Sequence, residues 1–377
     1  MERIRLRLYQ YALRRIVLSV FVLFGLSLLI FFLVRGLLPP AYALAPYITP
    51  RMDDSAKLSL ARSLGVATAS CPSYSAFVDL KSGCIVPLWQ QYGGWLIAAL
   101  QGNFGYTQLP GIAGTATTWS IFFGRFPYTA ELAIVAAILT VGIGIPLGVI
   151  SATHNNKLPD HISRLVSLGG YSVPQFLFGA LLLLIFALYV RPGGLGLFPA
   201  SGAIASTCAA CFNNYGQITR YTGLPIIDAL VSFNIPYFWD SVVAIILPAL
   251  TLAITSLGAV TRIVRSSMMD ALKQDYILLA KSKGLRERDT VYTHALRNAL
   301  LPAVTVSGLL VSYLLGGAVI VEIVFSWPGV GNAILGAAEV ADVNFIELYL
   351  LVTAAIIIGT NLMVDILYAL IDPRIRY

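Results

Sequence analysis

The chain has 377 residues, 58% of them hydrophobic and only 11% charged, with 25 Lys and Arg against 18 Asp and Glu for a formal net charge of +7. Soluble globular chains run at roughly 45–50% apolar, so a mean hydropathy of +0.80 excludes an ordinary soluble domain. A membrane β-barrel is excluded too, because its strands alternate polar and apolar residues and the apolar stretches here are unbroken.

About 20 residues of helix, rising about 1.5 Å each, cross roughly 30 Å of hydrocarbon. Six charge-free apolar runs reach or approach that length: Ile16–Val34, Leu132–Thr153, Leu165–Val190, Ser241–Thr261, Ala299–Val321 and Leu348–Val364. The expected fold is an all-α polytopic membrane protein with six transmembrane helices. Five arginines (Arg3, Arg5, Arg7, Arg14 and Arg15) precede the first run, and the small residues Ala41, Ala43 and Ala45 follow it. That arrangement leaves a cleaved signal peptide as an alternative. The run's 19 residues exceed the roughly 7–15 of a signal core and favour a retained anchor.

Basic residues orient the spans. With the N-terminus inside, 17 of the 25 Lys and Arg fall in inner segments and eight in outer ones. Both termini are therefore expected in the cytoplasm, and the positive balance reports topology, with no call for nucleic-acid binding. The chain divides into a cytoplasmic N-terminus with the first span (1–36), a large extracytoplasmic loop region (37–125) and a transmembrane core (126–377) that carries a charged inner segment (263–300).

All four cysteines fall in segments placed outside, where disulfides persist: Cys71 and Cys84 between spans 1 and 2, and Cys208 and Cys211 between spans 3 and 4. Four cysteines allow three pairings. Cys208-x-x-Cys211 resembles half a zinc site, but His154, His161 and His294 all lie on the inner side. The expectation is no metal and two local bridges, Cys71–Cys84 and Cys208–Cys211, with cross-loop pairing as the alternative. No phosphate loop, H-E-x-x-H or G-x-S-x-G sequence is present. Glu131, Glu322 and Asp365, near predicted span ends, are the membrane carboxylates to explain, and pairing with a neighbouring helix is the plainer account.

The densest charge lies between spans 4 and 5, where seven of the seventeen residues from Lys281 to Arg297 are ionised. Met269, Leu272, Tyr276, Leu279, Ala280 and Lys283 recur at helical spacing and predict an amphipathic helix. Gly284 suits a left-handed stop, Asp289 a cap for a second helix, and Pro302 the start of span 5. Between spans 5 and 6, "SWPGVGNAILGAA" predicts an outer turn followed by a short helix. Pro328-Gly329 would form a type II turn with Gly at positive φ, and Trp327 would mark the interfacial belt.

Ala280-x-x-x-Gly284 followed by "HALRNALLP" resembles the cytoplasmic loop of ABC-importer permeases of the dipeptide, oligopeptide and nickel family. "IPLGVISA", "DYILLAKSKGL", "FSWPGVG" and "DILYALIDPRIRY" are similar to the same family, in the same order. The resemblance implies that Asp275, Tyr276, Ala280, Gly284, Leu285, His294, Arg297, Asn298 and Pro302 belong to a loop that docks on a cytoplasmic ATPase. It implies that Trp327, Pro328, Gly329 and Gly331 form an extracytoplasmic turn. The implied partners are a second homologous permease, two ATPase subunits or domains, an extracytoplasmic solute-binding protein and the lipid of the cell membrane. ATP and Mg would be bound by the ATPases, leaving this chain without a cofactor and without enzymatic activity. Short peptides are the first expected cargo, with oligosaccharides and metal complexes behind them. Where ABC permeases carry Glu-Ala-Ala this chain has Leu278-Leu279-Ala280, which removes a Glu-mediated ion pair to the ATPase. The rival readings are a self-sufficient secondary transporter and a membrane-embedded enzyme.

Overall fold

In the computed structural model the backbone is described for residues 2–49, 51–81, 83–109, 116–189, 198–199, 201–203 and 221–371. Cys208 and Cys211 lie outside the described residues. Helix α1 (Glu2–Leu37) leads through a 3-10 turn (Pro40–Tyr47) to α2 (Asp54–Ser63), α3 (Tyr74–Val78) and α4 (Leu88–Leu100). A short antiparallel hairpin follows, β1 (Tyr106–Thr107) and β2 (Ala116–Thr117), with Tyr106 opposite Thr117. The remainder is helical: α5 (Thr118–Thr153), α6 (Leu158–Ser172), α7 (Gln175–Leu182), α8 (Pro225–Val231), α9 (Ile235–Leu272), α10 (Asp275–Ser282), α11 (Glu287–Asp289), α12 (Leu296–Val324), α13 (Val330–Glu339) and α14 (Val343–Ile371).

Among the described residues four stretches are long and apolar enough to cross a bilayer: Ala12–Leu37, Thr118–Thr153, Ile235–Leu272 and Val343–Ile366. Expected spans 1, 2, 4 and 6 fall within them. The expected third span is not one straight helix. Its segments Leu158–Gly170 and Gln175–Ala187 bend by 103°, with Val173 extended at φ −88° and ψ 128°. Pro174 is the cause, since its ring disfavours the α conformation in the preceding residue and it has no N–H to donate. The expected fifth span lies within α12, whose apolar stretch among the described residues is Tyr313–Val324.

By internal contacts the chain forms two compact units, one of residues 1–8, 127–331 and 360–377, the other of residues 9–126 and 332–359. The first is organised on α9, which packs against α12 and α6. Ala249, Leu252, Val260, Val264 and Met268 of α9 are essentially sealed from solvent. Close approach to α6 depends on two glycines. A Cβ at Gly258 would come 2.6 Å from the Ser167 carbonyl oxygen, and one at Gly170 would come 2.6 Å from that of Ile254. Small residues let helix backbones meet, which is how membrane helices gain packing when lipid supplies no hydrophobic drive between them.

In the second unit, the described residues between 37 and 125 form helices, a hairpin and a small core. Asp53 caps α2 by accepting from the Ala56 N–H (3.3 Å), and Ser73 caps α3 through the Ala76 N–H (3.2 Å), as short oxygen-bearing side chains do at helix starts. Leu44, Leu58, Ala61 and Phe77 close a small core over a Cys71–Cys84 disulfide. Below it Arg35 makes a two-pronged bond to Glu347, Nε to Oε1 at 2.7 Å and Nη2 to Oε2 at 3.2 Å, and also reaches Gln91. Asp342 accepts from the Phe345 N–H at the head of α14. It also takes the Thr107 hydroxyl (2.6 Å) and the Gln108 N–H (2.7 Å), so one carboxylate caps a helix and anchors the hairpin.

Peptide mapping without reduction should recover Cys71 and Cys84 as one linked species. Replacing both by Ser should remove about 3 kcal/mol of loop-closure stabilisation. Limited proteolysis is then expected to cut faster between residues 50 and 100 than elsewhere, while the spans stay protected.

Candidate functional site

The charged segment begins where α9 stops. Lys273 ends that helix and Gln274 is extended (φ −76°, ψ 151°), so Met269 and Leu272 belong to α9 and not to the amphipathic helix expected to start there. The restart at Asp275 resets the helical phase. Ile277 (1% exposed) and Ala280 (6%) face the core, while Tyr276, Leu278 and Leu279 face outward. α10 then closes on Gly284 at φ +74°. The Gly284 N–H bonds to the Lys281 carbonyl (3.0 Å) and the Leu285 N–H to the Ala280 carbonyl (3.3 Å). This pair of bonds is the Schellman motif, whose left-handed residue favours glycine because it lacks a Cβ.

Nine consecutive residues, Lys281 to Asp289, are exposed. Among the described residues none of Lys281, Lys283, Arg286, Glu287, Arg288 and Asp289 forms an ion pair. The chain re-enters the core at Thr290, Val291 and Ala295. Here Asp289 is not the expected cap: it sits inside the first turn, in the α conformation and without a side-chain cap bond. The helix has already started at Glu287, and Glu287 and Asp289 suit the positive end of its dipole. Residues Thr290–Ala295 are wound as a π-helix, with His294 half-buried and its carbonyl taken by Asn298 Nδ2 at 3.3 Å. Arg297 is exposed, as is Pro302. Pro302 lies in the second turn of α12, near the start of the expected fifth span, and the helix runs on through it from Glu287.

Asp160 of α6 is completely buried and gathers donors from several segments. Arg164 reaches it at 3.1 and 2.6 Å, Arg265 of α9 at 3.0 and 3.2 Å, the Asn156 N–H at 2.9 Å, and the Ser151 hydroxyl also bonds to it. Arg265 additionally donates to Asn155 (2.9 Å). A carboxylate this deep is tolerable only with several charged and polar donors. The result locks the end of α5, the α5–α6 loop and the last turns of α9 together.

The turn after α12 is built around another carboxylate. Glu322 is fully buried and accepts the Thr129 hydroxyl at 2.5 Å; Thr129 in turn accepts the Val330 N–H at 3.0 Å. A Cβ at Gly329 would overlap the Glu322 carboxylate, and one at Gly331 would come 2.6 Å from Val319 Cα and 2.8 Å from Glu322 Oε2. The glycines are thus needed for proximity. The expected type II turn does not form, since Gly329 is not at positive φ and Ser326 takes the left-handed position (φ 48°). Trp327 faces inward. It is 1% exposed and donates its indole N–H to the Tyr128 carbonyl (3.1 Å), because the packed turn offers it both burial and an acceptor. Glu131 accepts the Ile226 N–H (2.8 Å).

Residues 144–377 match the family described as "Binding-protein-dependent transport system inner membrane component". The chain is 35% identical to the dipeptide transport system permease protein DppB of Escherichia coli over 306 residues, covering 81% of this chain and 86% of that protein. It is 42% identical over 281 residues to DppB of Haemophilus influenzae, covering 74% and 78%. The oligopeptide transport system permease protein AppB of Bacillus subtilis is 31% identical over 368 residues, covering 97% and 99%. The chain belongs to this family. It is an ABC-importer permease and a multi-pass protein of the cell membrane.

The permease's motif residues separate into two groups. Asp275, Tyr276, Ala280, Gly284, Leu285, His294, Arg297, Asn298 and Pro302 lie on α10, the exposed turn and the helix that follows, while Trp327, Pro328, Gly329 and Gly331 lie on the turn after α12, where the two glycines pack on Glu322. Asp160 and Arg265 were missed. The only sequence signal for them was an isolated Asp in the short "HNNKLPDHIS" loop and an Arg just past an apolar run.

Gly329→Ala should destabilise the permease by about 1–3 kcal/mol through overpacking against Glu322. Gly142→Ala in α5, where a Cβ meets nothing within 4 Å, should be neutral. Thermal unfolding of the two variants side by side in the same detergent reads the difference.

Proposed function

We propose that this chain forms half of the path by which an ATP-driven importer takes up short peptides, and that residues 275–302 are its joint to a cytoplasmic ATPase. The observation that carries this reading is the nine-residue exposed stretch from Lys281 to Asp289. It is ringed by exposed Tyr276, Leu278, Leu279, Leu285 and Tyr292, yet held on both sides by buried Ile277, Ala280, Val291 and Ala295. A knob of mixed apolar and charged groups on a rigid base is suited to a groove in a partner, and a rigid base transmits a push. Because Leu278 and Leu279 stand where other ABC permeases carry Glu-Ala, the contact would rest on apolar burial and the basic residues.

The complete transporter in this reading holds a second permease, two ATPase subunits or domains that bind ATP and Mg, and a binding protein outside. This chain contributes six spans with both termini in the cytoplasm, the bent α6–α7 pair serving as the third and α12 as the fifth. Peptides rank above oligosaccharides because the relatives named above are a dipeptide and an oligopeptide permease. Solute would pass between the two permeases while ATP hydrolysis in the partners drives alternating access.

Gly284→Val places a branched residue at φ +74°, a left-handed position that costs a residue with a Cβ about 1–2 kcal/mol. Insertion and folding should survive, but recovery of ATPase subunits with the permease should fall. Uptake of di- to pentapeptides by the reconstituted transporter should drop on the order of tenfold, since 1.4 kcal/mol is a factor of ten. Full peptide uptake by the variant would refute the joint, whereas wild-type uptake of oligosaccharides and not peptides would refute only the cargo.

Topology is tested separately. A cysteine introduced by Asn332→Cys, in the segment after the turn, should react with an impermeant thiol reagent added from outside intact cells. Reaction only after the cytoplasm is opened would reverse the proposed orientation.

A further inference from the structure

Next to the contact of Gly258 with Ser167 lies a cavity of about 280 Å³ lined by Ser151, Ser163, Arg164, Ser167, Leu168, Thr261, Arg262 and Arg265. Its charge is one-sided. Arg164, Arg262 and Arg265 contribute +3, and Asp160 behind them −1, for a local sum of +2. Arg164 and Arg265 are engaged with Asp160, but Arg262 is exposed and has no ion-pair partner among the described residues.

The floor is polar and unsatisfied. Ser167 (7% exposed) and Thr261 (3%) line the cavity, and neither hydroxyl has a hydrogen-bond partner among the described residues, although a helical Ser or Thr ordinarily bonds to a carbonyl one turn back. Buried polar groups are nearly always satisfied, so two such hydroxyls facing one cavity point to an occupant that accepts from both. Water would satisfy the hydroxyls but leave the charge. An anion with several oxygens satisfies both at once, in the manner of charge-assisted bonds from arginine.

We propose that this cavity binds a phosphate group, held by Arg262, Arg164 and Arg265 at its rim and by Ser167 and Thr261 at its floor. The volume is just below the usual range for drug-sized ligands, roughly 300–1,000 Å³, and suits a headgroup or a small phosphate ester. Its position favours lipid. The lining residues come from the C-terminal turns of two apolar membrane-length helices and from the helix between them, where basic clefts meet anionic headgroups. The phosphodiester of an anionic phospholipid would pin α6 to α9 immediately before the charged segment that α9 leads into. The same chemistry admits soluble phosphate.

The test uses the full-length chain, purified in a neutral detergent and stripped of lipid. Its melting temperature is followed while short-chain phosphatidylglycerol, short-chain diacylglycerol or inorganic phosphate is added. Phosphatidylglycerol should raise it saturably and diacylglycerol should not. A matching rise with inorganic phosphate assigns the site to soluble phosphate, and a rise with the lipid alone assigns it to the headgroup; either result supports the site. Arg262→Gln removes an exposed, unpaired side chain and should weaken the apparent affinity on the order of tenfold, the usual value of one charged hydrogen bond. Ser167→Ala, which removes only the unpartnered hydroxyl, should weaken it less and serves if the first variant folds poorly. No stabilisation of the wild type by either phosphate ligand, or equal affinity in wild type and both variants, would overturn the proposal.

Discussion

A carboxylate taken out of water must be met by donors or it will not stay ionised, and in an apolar chain that requirement organises everything near it. Asp160 and Glu322 impose it in one compact unit, Asp342 and Glu347 in the other. All four are essentially sealed from solvent, at 0 to 2% exposed. Each is satisfied by residues far away in sequence: Asp160 by Arg265, Glu322 by Thr129, Asp342 by Thr107 and Glu347 by Arg35. Apolar packing alone would allow helices to slide or rotate, because lipid and side chains are similarly oily. A buried carboxylate with fixed donors admits one register.

The charged segment gains its shape from that rigidity. Its base is tied through α9 to the Asp160 cluster, and its two flanks descend into the same apolar core by way of Ile277 and Val291. Only the capped turn between them is left outside. The charges on this turn are not consumed within the described fold, so their cost and benefit fall on whatever it meets. The same logic separates the two glycine-containing motifs. Gly284 stands in open space and is required for its backbone angle, whereas Gly329 and Gly331 are required for the room they leave around Glu322.

Much of this was legible in advance where the physics is local. An apolar run of membrane length has one economical conformation, since an exposed backbone in hydrocarbon leaves its N–H and C=O groups unsatisfied. A lysine-rich helix end followed by Gly reads as a left-handed stop because glycine takes that backbone angle without a Cβ clash. Cys71 and Cys84, close in sequence, form the expected local bridge. Local reasoning failed when a neighbour changed the outcome. Pro174 bent an apolar run that composition reads as continuous. The break at Gln274 reset the helical phase, so that Tyr276 and Leu279, apolar by pattern, point outward.

The sequence by itself therefore determined the class, four of the six expected membrane-length helices, the capped turn at Gly284 and the family, since each depends on residues adjacent along the chain or on motif order. Tertiary structure alone decided which charges are buried and with whom, that residues between Leu44 and Cys84 close a small core, and that Trp327 seals a turn instead of facing lipid. It also decided that two unpartnered hydroxyls and three arginines share one cavity. The reason is range: pairs such as Arg35 with Glu347, or Asp160 with Arg265, are separated by 312 and 105 residues. No periodicity or propensity acts over that distance. What brings them together is the requirement that each buried charge find its donors once the helices have met.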